Sequence, residues 1–362
     1  MAGIYLHIPF CKQACSYCNF HFTTSLRYKD DLVDAMLTEI RREQLYLEQQ
    51  LVETIYFGGG TPSLLPTADI ERILATIHKS YRVSAGAEIT LEANPDDITR
   101  DRLQEWKDAG INRLSIGVQS FFEEELRWMN RAHNVKQARQ CIEWTLTRGF
   151  SNITIDLIYG SPLLTDSMWK QNVDLALEYE IPHLSCYALT VEEKTPLHKQ
   201  ITQARKQPVD NERQASQFLL LMQWLRAAGY EHYEVSNFAK PGFRSRHNTS
   251  YWKGIPYLGI GPSAHSFNGM ERRWNLPNNT AYIRGMMEGQ PARNAEQLSD
   301  RDRMNEFIMI SMRTMEGLDM QQLEARFGSA AARRVESAAV RYISNGQLML
   351  ADHALRLTDT GM

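Results

Sequence analysis

Residues 4–22, IYLHIPFCKQACSYCNFHF, place Cys11, Cys15 and Cys18 within eight positions directly after a short apolar run. The rest of the 362-residue chain holds only two more cysteines. Ile4 to Ile8 reads as a strand, so the thiols lie on the loop that follows its carboxyl end. A C-x3-C-x2-C spacing lets three thiolates wrap one metal centre. Structural zinc normally takes four ligands, often as two separated pairs, and no second pair exists here. His7 and His21 flank the loop and could complete a zinc site. An iron–sulfur cluster held by three thiolates instead leaves one iron open to a ligand. Cys141 falls in a helical pattern and Cys186 in a strand pattern, and both read as buried core thiols.

With 43% hydrophobic and 23% charged residues, the composition is that of a soluble globular enzyme of one large and one small domain. A formal net charge of −3 gives no overall cationic field to recruit nucleic acid or an anionic membrane. No run of 18 apolar residues is present, and MAGIYLHIPF lacks the pattern of a signal peptide. A cytoplasmic location with reduced thiols is therefore expected, with no integral membrane segment.

Outward from the cysteine loop, short apolar runs alternate with amphipathic stretches, the pattern of βα units and a parallel sheet. Six strands are expected: Ile4 to Ile8, Thr54 to Phe57, Glu88 to Glu92, Asn112 to Val118, Asn152 to Ile158 and His183 to Leu189. Helices are expected near Lys29 to Gln50, Thr67 to Ser80, Asp101 to Ala109, Val135 to Thr147, Ser167 to Tyr179 and Asn211 to Ala228. The fold class is α/β, a partial (β/α)6 barrel of the TIM type over residues 1–290, with an extension at about 230–290. Its chemistry belongs at the carboxyl ends of the strands. Residues 291–362 read as a small helical, winged-helix-like domain, with helices near Ser299 to Arg313, Met320 to Arg326 and Ala330 to Asn345 and a hairpin joined through Asp352-His353. Its arginines are balanced by Glu324 and Glu336, which favours a structural or partner-docking role over nucleic-acid binding.

Further groups stand at the ends of the strands. Gly58, Gly59 and Gly60 follow the second, where missing side chains allow close backbone approach. The run lacks the Lys-Ser/Thr of a P-loop and the spacing of a dinucleotide fold. Glu92 in LEANP, Gln119 in GVQS and Asp156 in IDLIYG are poorly placed for core packing and well placed to grip hydroxyls or an ammonium group.

Taken together, CKQACSYC, GGGTPS, EANP, GVQS and DLIYGSP after successive strands resemble the radical S-adenosylmethionine enzymes, and within them the HemN/HemW branch, over essentially the whole chain. The resemblance implies a [4Fe–4S] cluster on Cys11, Cys15 and Cys18, with the amino and carboxylate groups of S-adenosylmethionine on the fourth iron. One electron then splits the sulfonium into methionine and a 5′-deoxyadenosyl radical. It also implies that Tyr5 and Tyr17 border the cluster and cofactor, that Gly59, Gly60 and Thr61 line the methionine moiety, and that Glu92, Gln119, Arg131 and Asp156 make the remaining polar contacts. No residue is assigned as catalytic.

The HemN type carries a further cysteine two residues after the third, where this chain has Phe20, and an arm ahead of the first strand, where only Met1 to Ile4 precede Tyr5. RSRHNTSYWKG, with His247-Asn248 and Tyr251-Trp252, resembles the HNxxYW motif of the HemW proteins, which are haem-binding. The implied partners are haem, a haem-acceptor protein and a flavodoxin- or ferredoxin-like reductant, with peripheral membrane association left open. Imidazole suits haem iron and aromatic faces suit a macrocycle, yet the same residues read equally as a polar turn with two core aromatics. His265 is a weaker second candidate. The alternative activity is oxidative decarboxylation of coproporphyrinogen III, since every part needed to make the radical is present.

Overall fold

A computed structural model describes all 362 residues. Six parallel strands carry the architecture: β1 (Ala2–Ile8), β2 (Val52–Gly59), β3 (Val83–Ala93), β4 (Arg113–Gln119), β5 (Ile153–Tyr159) and β6 (His183–Ala188). Each pairs with the next in sequence. All six expected strands are present, several longer than the apolar runs that announce them.

The side chains explain why. Along each strand one alternate set is apolar and buried: Ile4, Leu6 and Ile8 on β1, Ile55 and Phe57 on β2, Leu114, Ile116 and Val118 on β4. These pack into one continuous core with the helices that follow the strands, including Lys29–Arg42, Thr67–Ser80 and Val135–Thr147. The other set is polar: Tyr5 and His7, Thr54 and Tyr56, Glu88, Thr90 and Glu92, Arg113 and Ser115, Thr154 and Asp156, His183 and Ser185. Residues of β2 through β6 line a single cavity, so the sheet curls around this polar face. It does not close, because β1 and β6 pair with later strands rather than with each other.

The first helix ends at Arg42 rather than Gln50. Glu48 and Gln49 take positive φ, turning the chain back toward β2. The glycines expected at helix ends, Gly110, Gly149 and Gly229, all adopt left-handed φ.

The stretch from 230 onward extends both edges of the sheet. β7 (Glu231–Glu234) and β8 (Asn237–Ala239) add antiparallel strands beside β6. β9 (Tyr257–Ile260) lies parallel to β1, and β10 (His265–Phe267), β11 (Glu271–Asn275) and β12 (Arg293–Gln297) continue antiparallel, giving twelve strands. Between the two edges runs the helix Arg246–Trp252, which packs against β1 and β2. The expected domain boundary at 291 falls before β12, which belongs to the large sheet, so the break comes after Gln297. Beyond it, helices Asp300–Met312, Met320–Phe327 and Ser329–Ser344 join β13 (Leu318–Asp319), β14 (Leu348–Ala351) and β15 (Ala354–Leu357) around a separate core of Leu318, Leu323, Ala339 and Leu355. The small sheet has the order β13-β15-β14, one strand more than the expected hairpin. Met315 N–H donates to Tyr233 O at 3.1 Å and Arg244 pairs with Glu316 at 2.6 Å, tying this domain to the β7 edge.

Candidate functional site

The cysteine loop leaves β1 at Ile8 and returns within a few residues. Cys11 N–H donates to Thr23 O at 3.0 Å and Thr23 N–H to Pro9 O at 2.8 Å, which closes the neck. Its far side is fastened to the segment after β4. Ser16 N–H donates to Met129 O at 3.0 Å, and Asn130 Nδ2 donates to Ala14 O at 2.7 Å. All three thiols are free and half-buried, whereas Cys141 and Cys186 are free and buried, as their patterns indicate.

Two side chains address the thiols directly. Thr61 Oγ1 donates to Cys11 Sγ at 3.4 Å, and Arg131 Nη1 donates to Cys15 Sγ at 3.3 Å. Arg131 is held in turn by Asn94 Oδ1 and Gly117 O, each 2.7 Å from Nη2, while its buried Nε has no partner. Tyr17 packs against the small apolar cluster that contains Leu126, Met129 and Leu197. Burial pushes the Cys11 thiol up to about 11, against the opposing hydrogen bond from Thr61. The protein alone therefore leaves this sulfur protonated at neutral pH, and a bound metal is what would make it a thiolate.

A zinc centre completed by histidine finds no support. His7 Nε2 donates to His21 O at 2.9 Å, which leaves Nδ1 to accept from Tyr5 OH at 3.2 Å. His21 Nε2 is 2.7 Å from Asn279 Oδ1. No three His, Cys, Asp or Glu side chains are gathered tightly enough to hold a single ion. The donor set that remains is three thiols of one loop, near enough that each of Cys11 and Cys18 feels the charge of Cys15. That set fits a cluster larger than one ion, with one corner not provided for by the protein.

The glycine run serves packing as well as access. Gly59 has φ +109°, and a Cβ there would come within 2.7 Å of the His7 ring. At Gly60 a Cβ would lie 2.7 Å from Phe10 O and 2.8 Å from Ile8 O. Beside them, Glu92 accepts from Tyr56 OH at 2.8 Å and from Gly59 N–H at 3.2 Å. Burial pushes the Glu92 carboxyl up to about 7 and that of Asp156 up to about 6. Gln119 ends β4 with φ +66°, where the register against β5 slips between Ile116 and Gln119. A non-glycine residue in that region at a strand end is a strained position of the kind found at binding sites. The fold thus gathers Cys11, Cys15, Cys18, Tyr5, Tyr17, Gly59, Gly60, Thr61, Glu92, Gln119, Arg131 and Asp156 at the carboxyl ends of the strands or just beneath them.

His247 lies deeper on the same face, its ring stacked on Tyr56 at 4.9 Å and on Tyr5 at 6.3 Å. It is 2% exposed, at the floor of the polar face, with Nδ1 2.8 Å from Thr54 Oγ1 and Nε2 3.0 Å from Tyr251 OH. Glu88 accepts the backbone N–H groups of Arg246 and His247 at 3.2 and 3.1 Å and anchors this helix to β3. Both ring nitrogens are hydrogen-bonded, so a haem contact through His247 would have to displace Thr54 or Tyr251. Burial depresses its pKa to about 3 and keeps the imidazole neutral. His265 is exposed and stacks on Trp274 at 6.0 Å. Asn94, Arg113 and Ser185 were not singled out from sequence, whereas Asn248 was named only as part of the HNxxYW motif. The signal of the first three was present, as polar residues recurring inside or just past apolar strands.

Comparison with known proteins follows this geometry. The radical SAM superfamily model matches residues 5–176, and the HemN C-terminal domain model matches residues 298–362. The chain is 30% identical to the heme chaperone HemW of Bacillus subtilis, over 100% of this chain and 96% of that one. The chain belongs to the HemW family of radical SAM proteins. Within the family it is 36% identical to the heme chaperone HemW of Escherichia coli, over 87% of this chain and 83% of that one. It is 32% identical to the mitochondrial radical S-adenosyl methionine domain-containing protein 1 of Danio rerio, over 100% and 84%. Among solved structures, the coproporphyrinogen III oxidase HemN of Escherichia coli superposes with a TM-score of 0.86 at 24% identity, covering 99% of this chain and 87% of that one, which is a likeness of fold. Membership of the radical SAM superfamily implies a [4Fe–4S] cluster and S-adenosylmethionine. No helix is long and apolar enough to cross a membrane.

Proposed function

We propose that this chain is a haem chaperone, binding haem for delivery to an acceptor protein, with a [4Fe–4S] cluster on Cys11, Cys15 and Cys18 and S-adenosylmethionine at the open corner. The observation that carries the reading is the donor set at the mouth: three thiols on one loop, a threonine and an arginine aimed at two of them, and flanking histidines already engaged. Relatives of nearly full length that are named heme chaperones support the haem part. Bound there, cluster and cofactor together supply one-electron chemistry.

The chain's own residues act around that centre. Arg131 places a positive charge against Cys15 and offsets the negative charge of a thiolate-bound cluster. Thr61 donates to Cys11 and, through Asn94, is linked to Arg131. Gly59 and Gly60 keep the wall beside the loop free of side chains. Glu92 and Asp156, poised near neutrality, accept hydroxyl or amino donors of the cofactor and exchange a proton with little expense. Tyr17 shields the guanidinium from water. The haem contact is not assigned to His247, for the reasons of geometry above.

The test is a haem titration of anaerobically reconstituted protein with and without S-adenosylmethionine. Stoichiometric uptake is expected, and absence of uptake under both conditions overturns the reading. The coproporphyrinogen oxidase activity is not favoured, because the likeness to HemN is one of fold.

A further inference from the structure

Between Glu92 and Asp156 and the start of the strands the concave face holds a small polar cavity of about 40 Å³, whose upper wall those two carboxylates form. Its floor end is lined by Arg113, Ser115, Thr154, Ser185, Ser245 and Asn248. Arg113 decides its character. The residue is 2% exposed, and its guanidinium donates to Asn152 Oδ1 and Thr154 Oγ1, both neutral acceptors. It makes no ion pair, and its Nε is buried without a partner. A desolvated cation with no carboxylate at ion-pair distance is costly to hold, and a ligand anion beside it offsets that cost.

The other charges nearby do not fill that role. Glu88 is committed to the helix N-terminus at Arg246 and His247. Asp156, whose charge Arg113 feels, lies beyond ion-pair distance, and its carboxyl takes a 3.5 Å contact from Ser115 Oγ. His183, bonded to Thr154 and to Tyr233, is buried and neutral. Asn248 is engaged only through its backbone N–H, by Ser245 Oγ at 3.3 Å, which leaves its carboxamide facing the cavity. The guanidinium fork keeps three unused N–H donors, enough to hold a carboxylate through two parallel bonds.

We propose that this floor receives a carboxylate of the bound ligand, with Arg113 as its charged partner and Asn248 as a neutral donor. The inference rests on the haem-binding reading, and the carboxylate it points to is a propionate of haem. A cavity of about 40 Å³ is far smaller than a site for a whole macrocycle and has room for a carboxylate head alone. Tyr187, 43% exposed, stands on the open side through which such a head enters. The porphyrin is thereby oriented with one edge inside the sheet and its plane outside it.

The experiment compares haem with haem dimethyl ester, whose propionates carry no charge, in absorbance titrations of the full chain. Wild type is expected to bind haem roughly tenfold or more tightly than the ester, the usual discrimination for a charge-assisted carboxylate contact. Arg113→Gln should bring the two ligands to the same affinity while leaving that for the ester unchanged. Asn248→Asp, which adds an anion and leaves the arginine in place, should also abolish the preference and decides the matter if the Arg113 variant does not fold. Equal affinity of haem and ester in wild type, or a preference that survives both substitutions, overturns the inference and leaves the haem reading standing. Binding of neither ligand overturns the haem reading itself.

Discussion

At the mouth of the sheet, polar groups are held in strained and incompletely satisfied ways. Gly59 and Gln119 sit at φ +109° and +66°, Arg131 Nε has no partner, and three thiols face one another with only two hydrogen bonds among them. At the floor, most groups are paired. His247 and His183 each engage both ring nitrogens, and Glu88 accepts two backbone N–H groups. The same polar face thus serves two purposes along its length. Completed networks make a rigid base, and unfinished valence at the top marks where something binds. Arg113 is the charged exception at the floor, beside the unpartnered hydroxyl of Thr90, which is why it carries a proposal rather than a structural explanation.

The sharpest way to break this division is to remove the thiols. Changing Cys11, Cys15 or Cys18 to Ala should abolish the iron–sulfur absorbance of anaerobically reconstituted protein, while Cys141→Ala and Cys186→Ala should retain it. Loss in the latter pair would mean that the cluster is not a property of the mouth alone. Next in size is Gly59→Ala. The new methyl meets the His7 ring at 2.7 Å on a backbone that favours glycine, so a destabilisation on the order of 2–4 kcal/mol is expected in equilibrium denaturation. His247→Ala tests the floor. Thr54 and Tyr251 would lose their buried partner, for a loss of about 2–3 kcal/mol with the iron–sulfur absorbance intact. If that absorbance falls with it, floor and mouth are one cooperative unit.

The division also explains what the sequence disclosed. Apolar runs such as Ile4 to Ile8 and Asn152 to Ile158 show the core-facing half of each strand, so the six strands and their order were legible. So were several of the mouth residues that follow their strands within a few positions, Cys11 after β1, Thr61 after β2 and Gln119 at the end of β4, whereas Arg131, well past β4, came only from the family resemblance. The floor was not. It is assembled from the starts of strands and from a helix that reaches Thr54 across 193 residues of chain, and no local pattern announces that contact. The hydrogen bonds of the HNTSYW segment were hidden for the same reason. A histidine beside aromatics has one sequence signature whether it faces a macrocycle or a threonine. The strands β7 to β12 were missed because they are short, three to five residues each, without the long apolar runs that mark β1 to β6.

Proton linkage gives the smallest and most discriminating comparison, because the two ends should respond to pH with opposite sign. At the mouth, burial raises the Glu92 carboxyl from 4.5 to about 7. The folded state then holds a proton that the unfolded chain has released, so this contribution is full below pH ~4.5 and is lost as pH rises through about 7. At the floor, burial lowers His247 from 6.5 to about 3. There the unfolded chain takes the proton first, so stability is full above pH ~6.5 and declines as pH falls toward 3. Glu92→Gln should therefore flatten the stability profile between pH 5 and 7.5 by roughly 1–2 kcal/mol, and leave the acid limb unchanged. A Gln substitution that alters the acid limb instead would place Glu92 in the floor network and erase the boundary between the two regions.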